Sequence, residues 1–385
     1  MLPSANWSYP TAIRFGAGRI DELPEACAAA GIARPLFVTD PGLRYLAVTT
    51  RALGVLAAAG VPAQIFSDVQ PNPTEANVAA GLAVLRDGGH DGVVAFGGGS
   101  ALDCGKVVAF MRGQRRPMWD FEDVGDWWTR ADPAGIAPIV AVPTTAGTGS
   151  EVGRAGVITN LATHTKKVIF HPRMLPSQVI LDPELTVGLP RAITAGTGMD
   201  AFAHCLEAYA SPSYHPMAEG IAVEGIRLVK DYLLRAYHDG ADLEARGQML
   251  VAAAMGATAF QKGLGAIHAL SHPVGALYGT HHGLTNAVFM PYVLAFNRAA
   301  LGDRMDRLAA WLGIAGGFGG FLDFVLALRR ELRIPHTLDG LGLDDARFAE
   351  MADMAIADPT AGGNPRPLTR ADALDLYRRT LQGRL

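Results

Sequence analysis

The residues best suited to hold a metal ion recur at helical spacing in the second half of this sequence. In "GMDAFAHCLEAYA" (198–210), Asp200 and His204 stand four apart and so share one helical face, and Glu207 comes round to nearly the same side. The surrounding residues are apolar almost all the way round, and a carboxylate buried among them needs a partner. A hydrogen-bonded Asp–His couple meets that need as well as an ion does, so the pair alone decides nothing. "GAIHALSHPVGALYGTHHG" (265–283) adds to it: His268 and His272 repeat the spacing, and His281 and His282 follow. One carboxylate oxygen with several imidazoles and no thiolate is a donor set for Fe(II), Zn(II) or Mn(II). Spacing does not say which imidazoles bind.

A second chemistry lies in the first half. "GGGS" (Gly97, Gly98, Gly99, Ser100) falls where a strand hands over to a helix. Glycines there let a phosphate approach the backbone, and the helix N-terminus offers unpaired N–H groups. The spacing is not GxGxxG, and glycine-rich turns also arise for steric reasons alone. "PTTAGTGSE" (143–151) ends the next strand, with hydroxyls on Thr144, Thr145, Thr148 and Ser150. Two such loops on neighbouring strands favour a ligand crevice at the carboxyl edge of a sheet. Asp40 closes an earlier strand, where a carboxylate accepts from a ribose 2′-hydroxyl and repels a 2′-phosphate; NAD rather than NADP follows. A turn cap before Pro41 is the other reading of Asp40.

These side chains need elements to carry them, and the two halves supply different ones. "PLFVTD" (35–40), "AQIFSDV" (63–69), "DGVVAFGGGS" (91–100) and "APIVAVPTTAGTGSE" (137–151) read as strands, separated by helical stretches through "RALGVLAAAG" and "TEANVAAGLAVLRDGG", the latter capped by Thr74. That alternation specifies a parallel sheet. Beyond residue 183 helical periodicity continues almost without strands. The expected architecture is an α/β dinucleotide-binding domain over 1–185 and an all-α metal-binding, catalytic domain over 186–385, with a cleft between.

Composition sets the outer limits. A net charge of −4 over 385 residues, with no Lys/Arg block, gives neither nucleic acid nor an anionic membrane a surface to bind. The opening "MLPSANWSYPTAIRFGAG" has no charged start and apolar run, and runs such as "MLVAAAMGATAF" are too short to span a bilayer. Three separated cysteines (Cys27, Cys104, Cys205) form no disulfide framework and fit a reduced, cytoplasmic setting. Their ordinary role is buried packing.

"GGGSALDCGK", "PTTAGTGSE", "LDPELTVGLP", "TGMDAFAHCLEAYAS" and "GAIHALSHPVGALYGTHHG" closely resemble the iron-containing (group III) alcohol dehydrogenases, and the likeness runs from "IRFGAG" (13–18) to "NPRPLT" (364–369). The resemblance implies a dehydroquinate synthase-like fold and a metal held by Asp200, His204, His268 and His282. It places His272 near the nicotinamide as a non-ligand and gives His281 no role beyond structure. It further implies that Asp40, the 97–100 loop, Asp103, Lys106 and Thr144–Thr148 contact the dinucleotide, with Lys167 near its ribose; with Lys166 adjacent, that last assignment slips easily by one. A homodimer is also implied. One departure stands out: many relatives carry a cysteine shortly before the "NPRP" motif, where this chain has Thr360.

The activity expected is hydride transfer between NAD(H) and a small primary alcohol or its aldehyde, with a divalent ion polarising the substrate oxygen and His272 passing the proton on. Arg154 and Lys262 raise the prospect of a substrate with a terminal carboxylate, an ω-hydroxy acid or its semialdehyde; ordinary surface or cofactor-side charges explain them equally simply. Phe260 is expected in the pocket lining. The rival readings are a metal- and NAD-dependent lyase of the dehydroquinate synthase type, for which the Lys, Arg and Asn cluster of a phosphorylated substrate is missing, and a non-catalytic NAD- and metal-binding module.

Overall fold

The computed structural model describes residues 10–163 and 165–385. The chain divides into two compact units, one ending at Gly188 and the other formed by Leu189–Leu385.

The first unit is built on a six-stranded sheet, parallel at every pairing, in the order β1 (Ala12–Phe15), β8 (Gln178–Leu181), β5 (Ile139–Pro143), β4 (Gly92–Gly97), β2 (Pro35–Val38), β3 (Gln64–Phe66). Every residue of β2, β4 and β5 is buried, as unalternating runs such as "GVVAFG" require of strands covered on both faces. Phe37, Phe96, Val94, Val140 and Val142 pack there with Leu23 and Cys27 of α1 (Leu23–Ala29) and Leu56 of α2 (Ala47–Ala58). Helix α3 (Glu75–Asp87) begins at Thr74 as expected, where the Thr74 N–H donates to Asn77 Oδ1 at 2.9 Å. Helix α4 (Gly99–Met111) leaves the end of β4.

The strand order places the ligand crevice. From β2 the chain runs out to β3, then returns to the other side of β2 with β4. Open parallel sheets bind ligands outside the carboxyl ends of the two strands flanking such a reversal. Asp40 and the Gly97–Ser100 turn follow those two strands, β2 and β4.

Four strands lie outside the sequence reading. β1 and β8 form one side of the sheet, and β6 (Ala155–Asn160) pairs with β7 (Thr165–Phe170) in a separate antiparallel hairpin. β1 is a short edge strand with Ile13 and Phe15 partly exposed, and the hairpin is only half-buried, so neither carries a continuous apolar run.

The second unit is helical throughout its described residues: α5 (Arg191–Ala210), α6 (Pro216–His238), α7 (Leu243–Ala259), α8 (Ala266–Tyr278), α9 (His282–Leu301), α10 (Asp303–Trp311), α11 (Gly317–Glu331), α12 (Phe348–Ala357) and α13 (Arg370–Gln382). Helices α5 and α9 touch backbone to backbone: a Cβ on Gly283 would lie 2.0 Å from the Gly196 carbonyl oxygen. Only glycine fits there, which brings His282 beside Asp200, one turn beyond Gly196. Among the described residues no single helix is long and apolar enough to cross a membrane.

Candidate metal centre and dinucleotide crevice

In the helical unit, three imidazoles converge on one carboxylate oxygen. Asp200 Oδ1 lies 3.8 Å from His204 Nε2, 3.8 Å from His268 Nε2 and 3.5 Å from His282 Nε2. Asp200, His204 and His268 are buried, each offering a donor atom within 4.8 Å of the others. The separations decide between the two readings of the Asp–His pair. Direct hydrogen bonds need ~2.7–3.2 Å between heavy atoms, and these gaps exceed that range. Bonds of ~2.1 Å to a tetrahedral ion hold its ligand atoms about 3.4 Å apart, close to what is seen. The residues present therefore fit a divalent ion.

The partners of His268 make the same point. Its Nδ1 lies 2.5 Å from Glu207 Oε2, a carboxylate that can only accept, so Nδ1 carries the hydrogen and Nε2 keeps its lone pair for the cluster. Glu207 is itself held by the Ile267 N–H, which donates to Oε1 at 2.6 Å. Burial pushes the His268 imidazole down, but the Glu207 and Asp200 carboxylates outweigh it and raise it above the ordinary histidine range.

His272 stands next to this cluster. Its ring stacks on that of His282, centroids 5.3 Å apart, and meets His268 edge-on at 5.7 Å. Its Nδ1 donates to Asp358 Oδ2 at 2.8 Å, while Asp358 Oδ1 accepts from the Thr360 N–H at 2.9 Å and hydroxyl at 2.5 Å. Burial would push the Asp358 carboxyl up, yet His272 and Thr360 hold it below the usual carboxylate range. Thr360 thus anchors the acid that orients His272. Phe260 packs its ring edge-on against His204 at 5.1 Å. His281 caps α9, its Nδ1 accepting from the Leu284 N–H, and stays structural.

In the α/β unit the two glycine- and hydroxyl-bearing loops come together. Gly97 has φ +145°, open to glycine alone, and a Cβ on Gly99 would lie 2.5 Å from Thr148 Cγ2. Thr145 lies beside Gly98, in ordinary contact distance at 3.5 Å from where its Cβ would be. Asp40 Oδ1 accepts from the Leu43 N–H at 3.0 Å, so the turn-cap reading holds, while Oδ2 faces the Gly97 turn. One oxygen caps and the other stands at the crevice.

Four basic residues singled out in the sequence have partners in the fold. Lys106 is 1 % exposed; its ammonium donates to the carbonyls of Ser150 (2.9 Å) and Ala155 and lies 3.6 Å from Asp103. Asp103 in turn accepts from Ser150 Oγ and the Val157 N–H. This pair holds the 150–157 segment in place, with the Lys106 ammonium directed at main-chain carbonyls. Lys167 is paired with Glu122 at 2.7 Å. Lys262 is buried: its ammonium donates to the carbonyls of Ala208, Tyr209 and Ser211 at 3.1, 3.1 and 2.6 Å and pairs with Glu219 at 3.0 Å. It caps the C-terminal end of α5 and is spent there, so it is not a receptor for a substrate carboxylate. Arg154 stacks over the Phe170 ring at 5.4 Å.

The family model described as iron-containing alcohol dehydrogenase matches residues 10–183, and the one described as Fe-containing alcohol dehydrogenase family, C-terminal, matches residues 194–381. The chain belongs to the iron-containing alcohol dehydrogenase family. It is 39% identical to a 4-hydroxybutyrate dehydrogenase of Cupriavidus necator over 97% of this chain and 98% of that protein. The crystal structure of a 1,3-propanediol oxidoreductase superposes with a TM-score of 0.94 at 36% identity, covering 98% of this chain and 100% of that one. Sulfoacetaldehyde reductase from Bifidobacterium kashiwanohense, solved in complex with NAD+, gives 0.88 at 30% identity, covering 98% and 99%. The fold is dehydroquinate synthase-like, and this family member is a metal- and NAD-dependent oxidoreductase acting on small alcohols and aldehydes; the lyase reading is not favoured.

Proposed function

We propose that this enzyme reduces a short aldehyde to its primary alcohol, and runs the reverse, with Asp200, His204, His268 and His282 as the ligands of an Fe(II) or Zn(II) ion. The observation that carries the reading is the set of three imidazole nitrogens around Asp200 Oδ1, at spacings that suit an ion and not hydrogen bonds. A bound divalent ion supplies Lewis-acid polarisation of the substrate oxygen. The chain's own residues do the rest. Glu207 fixes the His268 tautomer, and Phe260 keeps an apolar wall against His204. His272, its Nδ1 tied to Asp358, relays the reaction proton at Nε2.

In the α/β unit, we assign the dinucleotide pyrophosphate to Gly97, Gly98, Gly99 and Ser100 at the start of α4, with Thr144, Thr145 and Thr148 alongside. Asp40 reads the ribose 2′-hydroxyl, Asp103 positions the loop, and Lys167 stands near the ribose. Residues 1–185 then serve NAD and 186–385 serve the metal. Three relatives are named for 4-hydroxybutyrate, 1,3-propanediol and sulfoacetaldehyde, short chains with a polar far end, and others for methanol and butanol; the substrate class proposed here is the first of these. A homodimer through the exposed edge of β1 and a cytoplasmic location complete the reading.

Protein loaded anaerobically with Fe(II) is given NADH and a panel of short aldehydes, half neutral and half carrying a carboxylate. NADH oxidation that a chelator abolishes is the expected result, and the better half of the panel settles the charge at the far end. Bound metal and NADH with no oxidation by any aldehyde would sink the reading, and a tenfold preference for NADPH would remove the role given to Asp40.

A further inference from the structure

One fully buried amide sits among the ligand atoms and belongs to none of the motifs read from sequence. Asn286 lies one turn beyond His282 on α9 and is 0% exposed. Its Nδ2 donates to Asp200 Oδ1 at 2.8 Å and lies 3.1 Å from His282 Nε2 and 3.3 Å from His268 Nε2. The three atoms around that nitrogen come from α5, α9 and α8. The far end of the amide is held too: Ser271 Oγ, also 0% exposed, donates to Asn286 Oδ1 and lies 3.2 Å from the His268 carbonyl oxygen.

The hydrogen-bond inventory fixes which way the amide points. With Nδ2 inward, two hydrogens face three acceptors. Turned over, Oδ1 would face the Asp200 carboxylate oxygen and the lone pair on His268 Nε2, with no hydrogen to share with either. An N–H donor at this point also requires His268 and His282 to present lone pairs at Nε2, which is the form that binds a metal. Two hydrogens cannot satisfy three acceptors, so the centre stays rich in lone pairs and a cation suits it.

We propose that Asn286, anchored by Ser271, is a positioning residue of the metal centre: its amide aims Asp200 Oδ1 and keeps His268 and His282 gathered in the acceptor form, and it gives up the two Nε2 lone pairs when the ion takes them. This rests on the reading of Asp200 and the three histidines as ligands. Residues that orient ligands in this way typically contribute 10–100-fold in metal affinity.

The test is metal binding by the full-length protein, with no turnover involved. Metal-free Asn286→Leu, Ser271→Ala, Ser271→Thr and Asp200→Asn variants are titrated with Co(II), followed by visible absorption, and with Fe(II) against a competing chelator. Asn286→Leu, close in volume, is expected to weaken both metals by about 10–100-fold and to alter the Co(II) absorption bands. Ser271→Ala is expected to lose about three- to tenfold, and Ser271→Thr, which keeps the hydroxyl, to restore most of it. Asp200→Asn separates the two claims: if it binds metal like the parent, the ligand assignment itself fails. If Asp200→Asn loses metal while Asn286→Leu binds within threefold of the parent with an unchanged Co(II) spectrum, the ligand set stands and the role of Asn286 is refuted. Should Asn286→Leu fail to fold, the Ser271 pair decides: equal affinities in Ser271→Ala and the parent overturn the proposal.

Discussion

Replacing Lys262 with Met separates a structural cation from a substrate-binding one. The ammonium makes three hydrogen bonds to carbonyls of Ala208, Tyr209 and Ser211 at the C-terminal end of α5, at 3.1, 3.1 and 2.6 Å, and an ion pair with Glu219 at 3.0 Å, all from a side chain that is 0% exposed. Methionine keeps the stem's packing and removes the charge. Charged hydrogen bonds contribute about 1.5–3 kcal/mol each when deleted, but the losses here overlap. Arg304 also reaches the Tyr209 and Ser211 carbonyls and lies 3.1 Å from Glu219, and the Glu219 side chain is 37% exposed, so its stranded charge is screened. A net cost of about 3 kcal/mol follows. At roughly 2–4 °C per kcal/mol for a unit of this size, the melting temperature should fall by about 6–12 °C. Calorimetry gives the shift, and steady-state reduction of a carboxylated and a neutral aldehyde of equal length gives KM for each. The expected pattern is a lower Tm with an unchanged ratio of the two KM values. A Tm within 2 °C of the parent, with KM raised about tenfold for the carboxylated aldehyde alone, would refute the reasoning and return Lys262 to the substrate.

Other predictions test the remaining parts. Glu207→Gln should weaken metal binding by about tenfold, because the imidazole of His268 loses its anionic partner; chelator competition measures this, and unchanged affinity would count against Glu207 as its support. His272→Ala should lower kcat while metal content, measured by elemental analysis, stays at the parent value; metal loss would make His272 a ligand. In the other unit, burial pushes Glu151 up to about 7, and its Oε1 has no hydrogen-bond partner among the described residues. A folded-state pKa above the unfolded value of ~4.3 gives stability that is complete below that value and is lost as pH rises to about 7, on the order of 3 kcal/mol in all. Urea denaturation should therefore find Glu151→Gln more stable than the parent at pH 8 and not at pH 4.5; a difference independent of pH would show that the carboxyl does not titrate there.

What the sequence made legible was whatever breaks its local pattern. Asp200, His204 and His268 are polar intrusions at helical spacing in apolar stretches, so their types and positions stood out before any fold was known. The buried strands β2, β4 and β5 and the loops that end them were legible for the converse reason, as unbroken apolar runs stopped by glycine or threonine. Strand β1 and the β6–β7 hairpin were not, because each is at an edge or half-exposed, and its residues are settled by pairing rather than by local pattern.

The supporting polar residues were hidden for a different reason. Asn286 meets Asp200, and His272 meets Asp358, each across 86 positions, a separation that local spacing does not reveal. Lys106 and Lys262 mislead in the same way. Sequence displays a cation but not what neutralises it, and a conspicuous lysine near a site invites a ligand as its partner. Here the partners are main-chain carbonyls: the end of α5 for Lys262 and the 150–155 segment for Lys106. Carbonyl groups belong to every residue and leave no mark on composition, yet the last turn of a helix presents several of them unpaired at its negative end. A buried lysine a few residues beyond one helix can close the end of another, and in doing so it fixes the helix that carries the ligands. That places the contribution of Lys262 in the rigidity of α5, three turns from Asp200, and makes thermal stability the quantity most sensitive to its loss.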